Sequence, residues 1–173
     1  MRAFRGMLLV VLVAAIGCSG EKSGAYASSQ GLTAEKRAAV EARVREFMNQ
    51  VAQDVTQNGP LAWQKEFQDS PSFFMASDGQ LAFANGQAAM QWIQQLPKII
   101  KQIELRWSDV RVDVLTEDLA AVGAWWQEVR QDPQGHSLTQ KGYFTGVVQQ
   151  QNRGWQFRDA HWSTMPPEPP KPQ

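Results

Sequence analysis

The sequence predicts an α+β domain, with N-terminal helices packed on one face of a strongly bent antiparallel sheet that closes into a cone. Three observations predict it. Residues 33–58 carry apolar side chains at helical spacing, whereas residues 103–163 read as four long runs of strand alternation separated by turn residues. The apolar phase also changes inside the first of those strands, and such a change requires a bend.

Taken in order, Thr33 is placed to cap a helix, with Glu35 favourable in its first turn. Val40, Val44, Phe47, Met48, Val51 and Val55 then form one buried stripe, which Asn58-Gly59 ends. Pro60 suits the first turn of a shorter helix carrying Leu61, Trp63 and Phe67, closed by Ser70-Pro71. Phe73–Ala76 and Leu81–Ala84 flank an Asp78-Gly79 turn signal and read as a small hairpin. Asn85-Gly86 opens a third helix in which Ala89, Trp92, Ile93 and Leu96 share a face, and Pro97 ends it.

The first long strand runs from Ile103 to Leu115. Ile103, Leu105 and Trp107 alternate in one phase and Val110, Val112 and Val114 in the other, so an extra residue is expected near Ser108-Asp109. Leu119–Val129 and Thr139–Gln150 follow, with turns at Gln131–Gly135 and Asn152–Gly154. The closing strand, Gly154–Ser163, puts Trp155, Phe157, Asp159, His161 and Ser163 on one face by strict alternation.

Composition excludes several classes. The 17 basic and 17 acidic residues balance and are scattered, so no nucleic-acid footprint is present. A single cysteine, Cys18, excludes an internal disulfide and a thiolate metal cluster, and two histidines, His136 and His161, are too few for a dedicated zinc site. Neither metal nor cofactor is expected. His136, between Gly135 and Ser137, reads as a solvated loop residue.

Residues 1–17 read as a secretory signal: Arg2 and Arg5, then the apolar run Met7–Ile16, then small residues. An uncleaved membrane anchor is the alternative. Ala15-Ile16-Gly17-Cys18 resembles the lipobox of bacterial lipoproteins, in which the cysteine is lipidated and becomes the first residue. Ser19, rather than an acid, resembles sorting to the outer membrane, facing the periplasm, in two-membrane bacteria. Cleavage would remove Arg2 and Arg5 from the 17 basic residues and none of the 17 acidic ones, leaving a net charge near −2. Residues 18–31 then form a Ser/Gly-rich tether behind lipidated Cys18, 32–165 the domain, and 166–173 an extended Pro-rich tail.

Three stretches of the domain resemble the nuclear transport factor 2-like superfamily with its cystatin-like cone, and most closely its SnoaL-like branch. They are Ser77-Asp78-Gly79 through Asn85-Gly86-Gln87-Ala88-Ala89-Met90, Gly142-Tyr143-Phe144-Thr145-Gly146-Val147, and Gly154-Trp155-Gln156-Phe157 with His161 and Ser163. The resemblance implies a pocket between the concave sheet face and the helices. It leaves the activity open, because one fold hosts many functions. The isomerase branch uses a carboxylate base with buried acid donors. No residue set here matches it, and Asp109 and Asp113 lie where the bulge obscures their facing.

The candidate pocket set is Trp107, Tyr143, Thr145, Trp155, Phe157, Asp159 and His161. A histidine is the usual acid–base side chain, and Asp159 two residues from His161 is placed to tune it, which would suit a ligand-binding or acid–base pair. The plainer reading, that both groups hydrogen-bond locally and fix the strand end, weighs more. Trp63, Trp92 and Trp107 read as core. Adjacent Trp125 and Trp126 must take opposite faces, one inside and one, with Trp162, on the outer sheet face. An outer tryptophan face, in a fold whose members commonly pair through it, implies a homodimer. The expectation is a lipid-anchored bacterial envelope domain binding a small apolar ligand, without catalysis. The alternatives are an isomerase, hydratase or hydrolase using Asp159 and His161, and a dimeric scaffold with a filled core.

Overall fold

A computed structural model describes residues 31–166. The expected signal, Cys18 and almost all of the tether and tail lie outside the described residues. Helix α1 (Ala34–Asn58) begins where Thr33 accepts a hydrogen bond from the Lys36 N–H at 3.2 Å, and all six stripe residues from Val40 to Val55 are buried. Gly59 ends it at φ +75°, followed by a 3-10 turn at Pro60–Ala62 and a single helical turn, α2 (Trp63–Glu66). The second helix is therefore shorter than expected. Phe67 is already extended and bridges in parallel to Phe157, and Leu61 is exposed.

Strands β1 (Phe74–Ser77) and β2 (Gln80–Phe83) form the hairpin. Asp78 and Gly79 both have positive φ, +49° and +81°, as the tight turn signalled by Asp-Gly requires. Asn85 caps α3 (Gly86–Ile93), its side-chain oxygen accepting from the Ala88 N–H at 2.9 Å. A side chain at Gly86 would strike the Gln68 carbonyl and the Ser70 N–H, so only glycine lets this helix start against the preceding loop. The helix stops at Ile93, before a 3-10 turn at Leu96–Lys98.

The meander is β3 (Gln102–Val114), β4 (Leu119–Gln131), β5 (Ser137–Gln151) and β6 (Gly154–Thr164). The sheet order is β2-β1-β6-β5-β4-β3. It is mixed rather than wholly antiparallel, because β1 lies parallel to β6. The hairpin thus extends the meander's sheet instead of standing apart from it.

Two bulges bend the sheet. In β3 the register with β4 shifts between Ser108 and Arg111, and Asp109 takes φ +50°, which is the bulge the phase change predicts. In β6 Val147 faces Asp159 while the adjacent Val148 faces Phe157, so Arg158 is the extra residue. Here strict alternation fails. Phe157 is buried and pairs with inward Val148, but beyond Arg158 the inward residues are Ala160, Trp162 and Thr164. The expectation that Trp155, Phe157, Asp159, His161 and Ser163 share one face is thereby corrected.

Trp162, expected outside, is the centre of the aromatic core. Its ring lies 4.7 Å from Phe144, 5.3 Å from Trp126, 5.5 Å from Trp107 and 5.8 Å from Trp63. Such ring pairs add about 0.5–1.5 kcal/mol each beyond the area they bury. Gly142 makes room at the end of β6, since a Cβ there would overlap the Ser163 carbonyl.

Candidate ligand pocket

Along the inner face of β4, Ala120, Val122, Ala124 and Trp126 are buried in strand alternation, and the next inward residue is Glu128. Sheet register sets Glu128 directly between Leu105 of β3 and Gln140 of β5. One inward step further, Arg130 lies between Ile103 and Leu138. A cavity of about 590 Å³ opens over this row, within the range that takes a drug-sized molecule.

Its apolar lining comes from four parts of the fold. Trp63 and Phe67 come from the α2 region, Met75 and Phe83 from the hairpin, and Trp126 and Trp162 from the sheet. Ile93, Leu96, Ile99 and Ile100 come from α3 and the turn behind it. The helices are placed by what they bury: α1 packs its stripe on β3, and α3 closes over the open side of the cone.

Glu128 is the conspicuous polar group. It is only 4% exposed, and its carboxylate is ion-paired and hydrogen-bonded to Arg130 Nε. Burial raises its carboxyl above the usual range, while the Arg130 charge and hydrogen bond pull it back. The Trp126 indole N–H is buried with no partner among the described residues. The remaining acids are satisfied locally. Asp78 accepts from the Thr164 N–H at 2.7 Å and from its hydroxyl at 3.0 Å, which ties the hairpin turn to the end of β6. Those bonds hold its carboxyl below the usual value. Asp132 accepts from the Gln134 and His136 N–H groups, both at 2.9 Å, and its other oxygen lies 2.9 Å from His136 Nδ1. His136 is exposed as expected, yet it also contributes to the cavity rim. Among the described residues no group of three or more His, Cys, Asp or Glu is arranged to hold a metal.

The residues predicted from sequence sit elsewhere. Trp107 and Phe157 belong to the packed aromatic core: Trp107 lies 5.3 Å from Phe144, and Phe157 contacts Phe47 and Phe144. Trp155 packs against the same core. Tyr143 and Thr145 flank inward Phe144 and so take the outer face, as do Asp159 and His161 beyond the Arg158 bulge. None of the seven lines the cavity. Asp159 Oδ1 accepts from the Val147 N–H at 3.1 Å, directly at the bulge. Burial raises the Asp159 carboxyl, opposed by that bond and by Arg158. This is the local, strand-fixing role. His161 is exposed across from Thr145.

A second buried acid lies outside the cavity. Glu66 of α2, also 4% exposed, faces Asp54 of α1. Lys65 ion-pairs with Asp54, while its Nζ stands 3.8 Å from Glu66 Oε1, which has no hydrogen-bond partner among the described residues. Burial raises the Glu66 carboxyl to about 7, the Lys65 charge lowers it, and Asp54 adds to the rise.

No protein-family profile and no curated protein matches the chain. Solved structures do. A proposed scytalone dehydratase from Novosphingobium aromaticivorans superposes with a TM-score of 0.67 at 12% identity, over 77% of this chain and 89% of that one. A nuclear transport factor 2-like superfamily protein from Salmonella enterica serovar Typhimurium gives 0.62 at 14% identity, over 76% and 94%. A type 2 hexachlorocyclohexane dehydrochlorinase gives 0.59 at 11% identity, over 75% and 87%. At this identity the likeness establishes the architecture. The chain has the nuclear transport factor 2-like fold that its three motifs resemble.

Proposed function

We propose that the domain binds a small, largely apolar molecule in the cone, with Glu128 and Arg130 meeting the ligand's polar group. The carrying observation is a buried carboxylate, Glu128, paired with a partly exposed arginine, Arg130, in an otherwise aromatic and aliphatic cavity of about 590 Å³. Taking the Glu128 carboxylate out of water carries a desolvation cost that a partly solvated arginine repays only in part, so the acid is not there for stability alone. The test is a ligand screen by thermal shift on the 32–165 domain, repeated with Trp162→Ala and Leu96→Glu. Hits that the second variant loses support the reading, and hits that survive it place binding elsewhere.

A second reading, acid–base catalysis, has one observation in its favour. Burial raises the Glu128 carboxyl above its ordinary range, the direction that makes a carboxylate a stronger base. Two structures of similar fold are named for elimination reactions, of water and of hydrogen chloride. Asp159 and His161 are not the pair for this chemistry, since they lie on the other side of the sheet. Turnover of a bound ligand that Glu128→Gln abolishes, with binding retained, would establish the enzyme.

We also propose a lipid anchor at Cys18, on the lipobox-like Ala15–Cys18, with the domain held in the bacterial envelope. Cys18→Ser should release the protein from the membrane fraction. The outer sheet face, where Trp125 is 44% exposed and stacks edge-on to Tyr143 at 5.0 Å, is our candidate homodimer surface. Sedimentation at tens of micromolar checks it.

A further inference from the structure

Resting on the reading of the cavity as a ligand site, we infer that the ligand is a hydrophobic carboxylate whose head group is received by the Nη groups of Arg130. Each carboxylate that lines the cavity already has a partner, whereas Arg130 has donors to spare. Asp78 is answered by Thr164, and Asp132 by His136 and two backbone N–H groups. Glu128 is answered by Arg130, but through Nε alone. Among the described residues the two Nη groups carry no other hydrogen bond, and the side chain, about two-fifths exposed, lines the cavity. A guanidinium pinned at Nε and open at its terminal nitrogens is a preorganised fork for a planar carboxylate.

Position fits the same chemistry. Arg130 lies one inward step further along β4 than Glu128, between Ile103 and Leu138, while Trp126 lies one step the other way. A ligand with its head on Arg130 therefore lays its body toward Trp126 and Trp162. Lys98 and Lys101, both exposed, flank the lining residues Ile99 and Ile100 in sequence without lining the cavity themselves. The Lys101 N–H donates to the Gln131 carbonyl at 2.7 Å, which places that lysine beside the end of β4. The lining carboxylates Asp78, Glu128 and Asp132 are each taken up by local partners, so the free Nη groups of Arg130 favour an anionic head over a neutral or cationic one. Trp92, Ile99 and Leu138, each about half exposed, supply an apolar rim for the part of the ligand nearest the head.

Isothermal titration of the 32–165 domain with dodecanoate and dodecyltrimethylammonium below their micellar concentrations, and with dodecanol below its solubility limit, tests this. Dodecanoate is expected to bind at least tenfold tighter than dodecanol, and the ammonium weakest. Arg130→Gln should bring dodecanoate down to the dodecanol level. Arg130→Lys, which keeps the charge but not the fork, should retain part of the preference and guards against a folding defect in the first variant. Equal wild-type affinities for acid and alcohol, or a preference for the ammonium, overturn the head-group inference while leaving the pocket standing. Failure of all three probes to bind overturns the pocket reading itself, and this inference with it.

Discussion

Glu128 and Glu66 are buried to the same degree, and burial pushes both carboxyls up, yet they sit in opposite surroundings. Glu128 is on a sheet, has a dedicated arginine, and opens on an empty volume. Glu66 is on a one-turn helix, shares Lys65 with Asp54, and faces packed α1. A buried acid is informative about function only through what lies beside it. Cavity and fork make Glu128 part of a site. A second carboxylate and a filled interface make Glu66 a determinant of stability.

The largest effect expected from this contrast is on Glu66. The native state holds its proton up to about pH 7, whereas an unperturbed glutamate releases it near 4.5. Raising the pH through that window therefore favours unfolding. The loss is about 3 kcal/mol, since each pH unit between the two values contributes roughly 1.4 kcal/mol. Glu128 and Asp159, also raised, add to the slope. Asp54 acts oppositely: Lys65 holds its carboxyl below 3.8, so its contribution is present at neutral pH and is lost only in acid. Urea melts at pH 5 and pH 8 should show wild type losing stability between them and Glu66→Gln losing much less. The amide imitates the protonated acid beside Asp54. Equal slopes in the two proteins would break the contrast.

Glu128→Gln comes next. Arg130 is partly solvated, so losing its partner costs stability little, within about 1 kcal/mol. Dodecanoate binding should weaken several-fold, because the guanidinium is no longer held. A Glu128→Gln protein that melts much lower yet binds unchanged would assign this acid, too, to structure alone.

Most of the architecture is legible in the sequence and the site is not, for one physical reason. Every alternation argument is a statement about parity, and parity survives only until the next bulge. In β3 the bulge is visible, since Leu105 and Trp107 fall out of phase with Val112 and Val114. In β6 the same signal is present but thinner. Phe157 and Trp162 are both large and apolar and stand five residues apart, an odd spacing that unbroken alternation cannot put on one face. Strict alternation passes over it, and so turns Asp159 and His161 inward and Trp162 outward. The error carries across to β5, where Tyr143 and Thr145 are assigned to the pocket although Phe144 is the inward residue of that strand. Glu128 and Arg130 share the parity of Trp126, but β4 has apolar residues in both phases, Ala121 and Val122 among them, so its facing is ambiguous. What closes the cavity, the turn from Leu96 to Ile100, carries no periodicity from which to place it.

The smallest effect concerns Trp126, which touches both halves of the contrast: core on one side, cavity on the other. Trp126→Phe forfeits part of a T-shaped contact with Trp162, worth about 0.5–1.5 kcal/mol, but also removes a buried N–H that has no partner among the described residues, whose burial costs about 1–3 kcal/mol. The two nearly cancel, so the free domain should change by no more than about 1 kcal/mol in a urea melt. The bound state is the sharper measure. If the ligand accepts that N–H, phenylalanine weakens binding while the free protein stays as stable as before, and the indole joins Arg130 as a recognition group. If affinity also stays put, the N–H is a packing cost of placing a large ring beneath Glu128, and the polar part of the site is confined to the β4 pair.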